Sequence, residues 1–151
     1  MIIIETENTD NNVGYTIEDI NLGDFKIYKT TYSKKIHSEF ANFSGDKSKI
    51  HTDKSFCERN GYKGVIGYAF FLNTLLSNIF GMNFPGGTEL CIRDISNYRV
   101  PFYIGEKLTI NIKVININKD FQLLTLKKEI FNQNQKLILD GETLFKLSLQ
   151  K

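Results

Sequence analysis

In 151 residues the chain has no tryptophan, two prolines, two cysteines and two histidines, and each shortage excludes something. Cys57 and Cys91 are too few for a disulfide framework and fit no metal-ligand spacing. They are expected as two small core residues in a reducing cytoplasm. An excess of charge is lacking too: 19 basic against 17 acidic residues leave a formal +2, with no block of like sign. Neither nucleic acid nor a membrane surface is then an expected partner. Long hydrophobic runs are also missing. The most apolar stretch, Val65 to Phe80, is interrupted by Asn73, Thr74, Ser77 and Asn78, too short and too polar to span a bilayer. The opening MIII is followed at once by acidic and amide residues, so no secretory segment is expected. No repeat, low-complexity segment or linker suggests a second domain. A 41% hydrophobic fraction suits one soluble domain that buries about two-thirds of its unfolded surface.

What is present is pattern. Residues 1–13 end in the polar, turn-rich TENTDNN and are expected as an N-terminal arm or short edge segment, with the folded domain spanning 14–151. After the Gly23-Asp24 turn, FKIYKTTY alternates as a half-buried strand does. Ser33 is placed to cap a helix running through IHSEFANF. Ser44 to Asp53 has no sustained periodicity and reads as a structured loop. VIGYAFFLNTLLSNIF is a helix candidate apolar on nearly all sides, hence buried, with Gly81 as its C′ residue. Beyond Pro85-Gly86-Gly87 the pattern turns to strand. ELCIRDISNYRV, LTINIKVINI (Ile110, Ile112 and Val114 on one face), LLTLKKEIF and KLILDGETLFKLSLQ (Phe145, Leu147 and Leu149 on one face) follow, separated by short turns. The fold class is α+β: an antiparallel β-sheet wrapped around a long central helix.

With two histidines, acid/base candidates are few. His37 has only Glu39 nearby and reads as a surface or half-buried helix residue. His51 lies in an irregular, Gly-containing segment between Asp46 and Asp53, which makes it the better candidate.

The string FANFSGDKSKIHTD carries more than that. It resembles the signature F-A-x-[LV]-S-G-D-x-N-P-[IL]-H-x-D of the MaoC-like dehydratase and (R)-specific enoyl-CoA hydratase family. Phe40, Ala41, Ser44, Gly45, Asp46, Ile50, His51 and Asp53 fall on it without a gap. The likeness runs over residues 14–149, through the Gly-Asp turn, the FPGG segment, ISNYRVPFYIGEKLTINIKV and the closing GETLFKLSL. It implies a single hot-dog domain with Asp46 and His51 as the catalytic acid/base pair. Two departures stand out. Ser48-Lys49 replaces the family's Asn-Pro, which removes a fixed φ and loosens the loop. Ser48 is still expected to make a local bond to the backbone. At the start of the central helix, Ile66-Gly67-Tyr68-Ala69-Phe70 stands where the family carries [IV]-x-H-G-M, so Tyr68 replaces a histidine and Ala69 a glycine.

The resemblance implies a hydratase or dehydratase that interconverts a trans-2-enoyl thioester and an (R)-3-hydroxyacyl thioester. The carrier is coenzyme A or acyl carrier protein, the setting is fatty acid metabolism, and no metal or redox cofactor is required. Ala69, with Gly67 beside it, is assigned the thioester oxygen through its N–H at a helix N-terminus. Tyr68, Ser44 and Phe70 are placed in the substrate pocket, with Ser44 and Gly45 also shaping the turn that presents Asp46, and Asp53 capping the next turn. Lys47, Lys49, Lys54, Arg59 and Lys63 form a candidate basic rim for the carrier's phosphates. A homodimer joined through a sheet edge is expected. Two other readings stay open: a thioesterase, disfavoured because Val65 to Phe80 holds no carboxylate, and a non-catalytic acyl-binding domain, suggested by Tyr68 and Ala69.

Overall fold

The computed structural model describes residues 3–6, 14–87 and 89–148. Leu149 and most of the arm, residues 1–2 and 7–13, lie outside the described residues. Among the described residues, six strands form one antiparallel sheet: β1 (Glu5–Thr6), β2 (Phe25–Thr31), β3 (Glu89–Tyr98), β4 (Lys107–Asn118), β5 (Leu123–Asn132) and β6 (Leu137–Leu147). Their order across the sheet is β1-β2-β4-β5-β6-β3. The last three in sequence make the expected meander, and β3 closes on its far side against β6.

Period-two alternation sends Leu108, Ile110, Ile112 and Val114 of β4, and Leu124, Leu126 and Ile130 of β5, to the inner face. In β4 the alternation stops where a bulge falls between Val114 and Asn116. The inner face covers α4 (Ala69–Met82), whose Phe71, Leu72, Leu75, Leu76, Ile79 and Phe80 are buried in the same core. Each such side chain contributes roughly 1.5–3 kcal/mol on leaving water, which makes α4 the axle of the fold.

Two expectations about this helix need correction. It is not buried all round: Phe70, Thr74, Ser77 and Asn78 form an exposed stripe at i, i+4, i+7 and i+8. Nor does it run from Val65 or stop at Gly81. Ile66 pairs with Tyr103 in an isolated bridge, and the Gly67 N–H donates to the Phe102 carbonyl at 2.7 Å, so residues 66–68 are held extended after a bend at Val65. At the other end the helix passes through Gly81 and is capped at Asn83.

Ser33 caps α1 (Lys34–Ser44) as expected, accepting from the Ile36 N–H at 3.2 Å. Gly45 ends it with φ 73°, a left-handed turn that glycine adopts at little cost. The segment read as loop contains a helical turn, α2 (Lys49–Thr52), and Asp53 caps α3 (Lys54–Arg59) by accepting from Phe56 N–H at 2.9 Å. These helices follow one another too quickly for a periodicity to show.

The edge strand β3 is largely exposed on both faces, with Leu90, Ile92 and Ile95 all open to solvent. Cys91 is exposed with it, so the core expectation holds for Cys57 and fails for Cys91. Behind β3 lies a polar cluster: the Lys128 ammonium, with no exposed side-chain surface, pairs with Asp94 and donates to Ser96 Oγ at 2.9 Å, while Thr143 Oγ1 donates to Asp94 at 2.6 Å. No described helix is long and apolar enough to cross a membrane.

Candidate active site

The αL turn at Gly45 throws the chain back on itself directly after α1, and Ser44 Oγ accepts from the Asp46 N–H at 3.2 Å. These two residues therefore shape the turn that presents Asp46. Asp46 Oδ1 accepts from the Ser48 N–H at 3.0 Å. Ser48 thus contributes its backbone N–H to the Asp46 side chain, whereas the side-chain bond to the backbone expected of it does not form as a cap on α2. That amide, joined by the Ser48 hydroxyl and the nearby His51, holds the Asp46 carboxyl below its usual range. The one helical turn of α2 then brings His51 round to face it. His51 Nε2 stands 3.7 Å from Asp46 Oδ2, with side-chain exposures of 14% and 46%.

The other ring nitrogen sets the tautomer. His51 Nδ1 lies 2.8 Å from the Ile66 carbonyl, an acceptor only, so Nδ1 carries the hydrogen. In the neutral ring this directs the Nε2 lone pair toward Asp46. A carboxylate and a basic nitrogen 3.7 Å apart are too distant for a direct hydrogen bond and suitably spaced to hold one small hydroxylic molecule between them.

A second layer lies beneath. The Tyr68 ring stacks on His51 at 4.0 Å between centroids, and the Tyr68 hydroxyl donates to the Asp46 carbonyl at 2.7 Å. His37, read from sequence as a surface or half-buried residue, is buried here: Nε2 donates to the His51 carbonyl at 2.9 Å and Nδ1 accepts from the Tyr32 hydroxyl at 2.9 Å. The Tyr32 oxygen in turn accepts from the Tyr68 N–H at 3.2 Å. This chain of bonds closes only with a neutral His37. Burial pushes its imidazole below the ordinary value, against the pull of the His51 carbonyl, and burial likewise raises the Tyr32 phenol to about 12.

Because the unfolded chain protonates His37 at a higher pH than the folded one, its contribution is present above about pH 6.5 and is lost as pH falls below that value. Urea midpoints at about pH 7.5 and about pH 5.5 should fall further apart in the wild type than in His37→Gln, which removes the titration. Equal differences would show that folding leaves the His37 pKa where it stands in the unfolded chain.

Of the remaining expected site residues, Ala69 is the first residue of α4, and among the described residues nothing accepts from its N–H. It also lines a cavity of about 210 Å³ with Ile66, Leu72, Tyr98 and Phe102. Gly67 does not share its role. Its N–H is engaged by Phe102, and a Cβ there would lie 2.4 Å from the Phe102 ring, so this glycine serves close packing. Phe70 turns outward, 73% exposed, with its ring edge-on to Tyr98 at 6.3 Å, away from the pocket assigned to it. Tyr68 faces the acid/base loop.

No family model matches the chain. It is 27% identical over 108 residues to an (R)-specific enoyl-CoA hydratase of Aeromonas caviae, covering 72% of this chain and 81% of that protein. It is 26% identical over 130 residues to a 3-hydroxybutyryl-CoA dehydratase of Methylorubrum extorquens, covering 86% and 82%. Among solved structures, the A. caviae (R)-hydratase superposes with a TM-score of 0.81 at 23% identity, covering 87% of this chain and 99% of that one. A MaoC-like dehydratase from Rhodospirillum rubrum superposes with a TM-score of 0.74 at 14% identity, covering 91% and 100%. By fold the chain is a hot-dog domain like the A. caviae (R)-hydratase and the R. rubrum MaoC-like dehydratase, and by sequence it is similar to an (R)-specific enoyl-CoA hydratase and a 3-hydroxybutyryl-CoA dehydratase.

Proposed function

We propose that this protein is a lyase that adds water to a trans-2-enoyl thioester, giving an (R)-3-hydroxyacyl thioester, and catalyses the reverse dehydration, with Asp46 and His51 as its acid/base pair. The observation that carries the reading is the convergence of the Asp46 carboxyl and His51 Nε2 across 3.7 Å, with His51 Nδ1 committed to the Ile66 carbonyl. Two acceptors so placed take both hydrogens of one water and leave its lone pairs aimed at the β-carbon of a substrate. As the oxygen adds to the β-carbon, one of the pair takes a proton from the water and the pair delivers a proton to the α-carbon, while charge collects transiently on the thioester oxygen. The free N–H of Ala69, at the N-terminus of a 14-residue helix, supplies the hydrogen bond and the dipole for that oxygen. Every step uses protein groups and water, so a metal or redox cofactor is not called for.

The relatives' activities support the reading, as does the register of Asp46 and His51 with the family signature. A thioesterase is less well served, because α4 carries no carboxylate. For the carrier, Lys47, Lys49, Lys54, Arg59 and Lys63 are all exposed and suit the phosphates of coenzyme A or of a carrier-protein arm. Free thiols suit a cytoplasmic setting. The unpaired, apolar edge of β3 suits a homodimer built by β3–β3 pairing, which would also cover Phe70. Light scattering should give twice the chain mass for the wild type and a lower mass for Ile95→Lys; a monomeric wild type would remove the dimer. Hydration of crotonyl-CoA and longer enoyl-CoA substrates tests the activity itself. Binding of acyl thioesters without turnover of any of them would favour the non-catalytic reading.

A further inference from the structure

We propose that Tyr68 is a positioning residue that sets the distance between Asp46 and His51, holding both ends of the pair from below. The inference rests on the Asp46–His51 reading above. Asp46 is otherwise held by short-range contacts: Ser44 Oγ on its N–H, and the Ser48 N–H on its carboxylate. Among the described residues, the Tyr68 hydroxyl is the hydrogen bond that ties Asp46 to a part of the fold distant in sequence, at a separation of 22 residues. The same ring lies flat under His51, 30° from parallel, so one rigid side chain sets the height of the imidazole and the position of the carboxylate's backbone.

Tyr68 is itself well anchored. It is 2% exposed, its ring packs on His37 at 4.8 Å and Phe40 at 5.0 Å, and its N–H is bonded to the Tyr32 hydroxyl. It is also the N-cap residue of α4, so the element that offers the Ala69 N–H is the one that fixes the acid/base pair. Histidine at this position would be a shorter ring with no group at the length of the tyrosine hydroxyl.

The loop between the pair contains a position where rigidity can be added independently. Ser48 has φ −58° and ψ 149°, the extended conformation that precedes proline. Lys49 is the first residue of α2, the favoured place for proline in a helix, and among the described residues nothing accepts from its N–H. Lys49→Pro therefore stiffens the loop without straining it; because it also removes a lysine of the proposed rim, Lys49→Gln is the reference background for the double-mutant cycle.

Tyr68→Phe keeps the ring and removes the tether. In the wild-type and Lys49→Gln backgrounds it should lower kcat for enoyl-CoA hydration by about 10- to 100-fold, the scale of a small misplacement of reacting groups, with little change in KM. In the Lys49→Pro background the same substitution should cost no more than about threefold. An unchanged kcat in Tyr68→Phe would overturn the proposal. So would a loss that is undiminished beside Lys49→Pro, which would make the hydroxyl a substrate contact. Amide hydrogen exchange over residues 46–52, read without substrate, separates this inference from the proposed activity. If the wild type hydrates no enoyl thioester, the activity fails, while faster exchange in Tyr68→Phe that slows again in the double variant still upholds the positioning role. Exchange unaffected by Tyr68→Phe would sink it.

Discussion

Asp46→Asn and His51→Ala are each expected to lower kcat for crotonyl-CoA hydration by about 10²–10⁴-fold while leaving the fold intact. Asparagine keeps the size of Asp46 and an acceptor for the Ser48 N–H, but cannot take a proton, so the chemistry fails and the turn survives. Alanine at 51 removes Nε2, the bond to the Ile66 carbonyl and the ring that stacks on Tyr68. The double variant should be little worse than either single one, because the two groups act on one water and their effects do not add. Thermal midpoints within a few degrees of wild type would confirm that activity, not folding, was lost. If either substitution left hydration intact, the acid/base assignment would be wrong.

The largest expected effect on stability lies away from the site. Asp94→Ala should destabilise the fold by about 3–5 kcal/mol, since it strands the fully buried Lys128 ammonium with Ser96 as its remaining partner. The converse change should cost much less. Lys128→Met leaves Asp94 with bonds from Thr143 and Ser96 and a third of its side chain in water. Burial works against both charged forms. For Asp94, the hydrogen bonds from Lys128, Thr143 and Ser96 overcome it and hold the carboxyl low, whereas for Lys128 burial prevails and lowers the ammonium. Together, Asp94→Ala and Lys128→Met should be close to neutral, because no unpaired charge remains buried. Urea unfolding of the three variants measures this directly; equal losses in the two single variants would mean that the charges are hydrated in the folded chain.

The same cluster shows what a sequence reveals and what it hides. Alternation in LLTLKKEIF puts Leu124, Leu126 and Ile130 inward, and the same period puts Lys128 inward too, so a buried lysine was legible as an exception to the pattern. Its partner was not, since Asp94 lies 34 residues earlier on a strand that only folding brings across Gly141. The acid/base pair was legible because it is local: Asp46, Ser48 and His51 lie within six residues, and their spacing is the motif. The support beneath them is not local. His37 reaches the His51 carbonyl from 14 residues away, and Tyr32 meets the Tyr68 amide across 36, through rings that fit any buried helix or strand. The helix start was misplaced for a related reason, because Phe102, a residue of the far connection, holds Gly67 extended. Hydrophobic spacing alone continues the helix back to Val65.

Tyr68 and Ala69 depart from the family signature that this chain resembles. Both departures keep the chemistry available. Ala69 retains its N–H, and Tyr68 gives Asp46 a tether in a loop that carries lysine where the family signature has proline.

The most direct test of the central claim is the chirality of the product formed from crotonyl-CoA by the wild-type protein. Addition of water held between Asp46 and His51 to one face of the bound enoyl group should yield (R)-3-hydroxybutyryl-CoA alone. No hydration of any enoyl thioester, or formation of the (S) or racemic product, would contradict it.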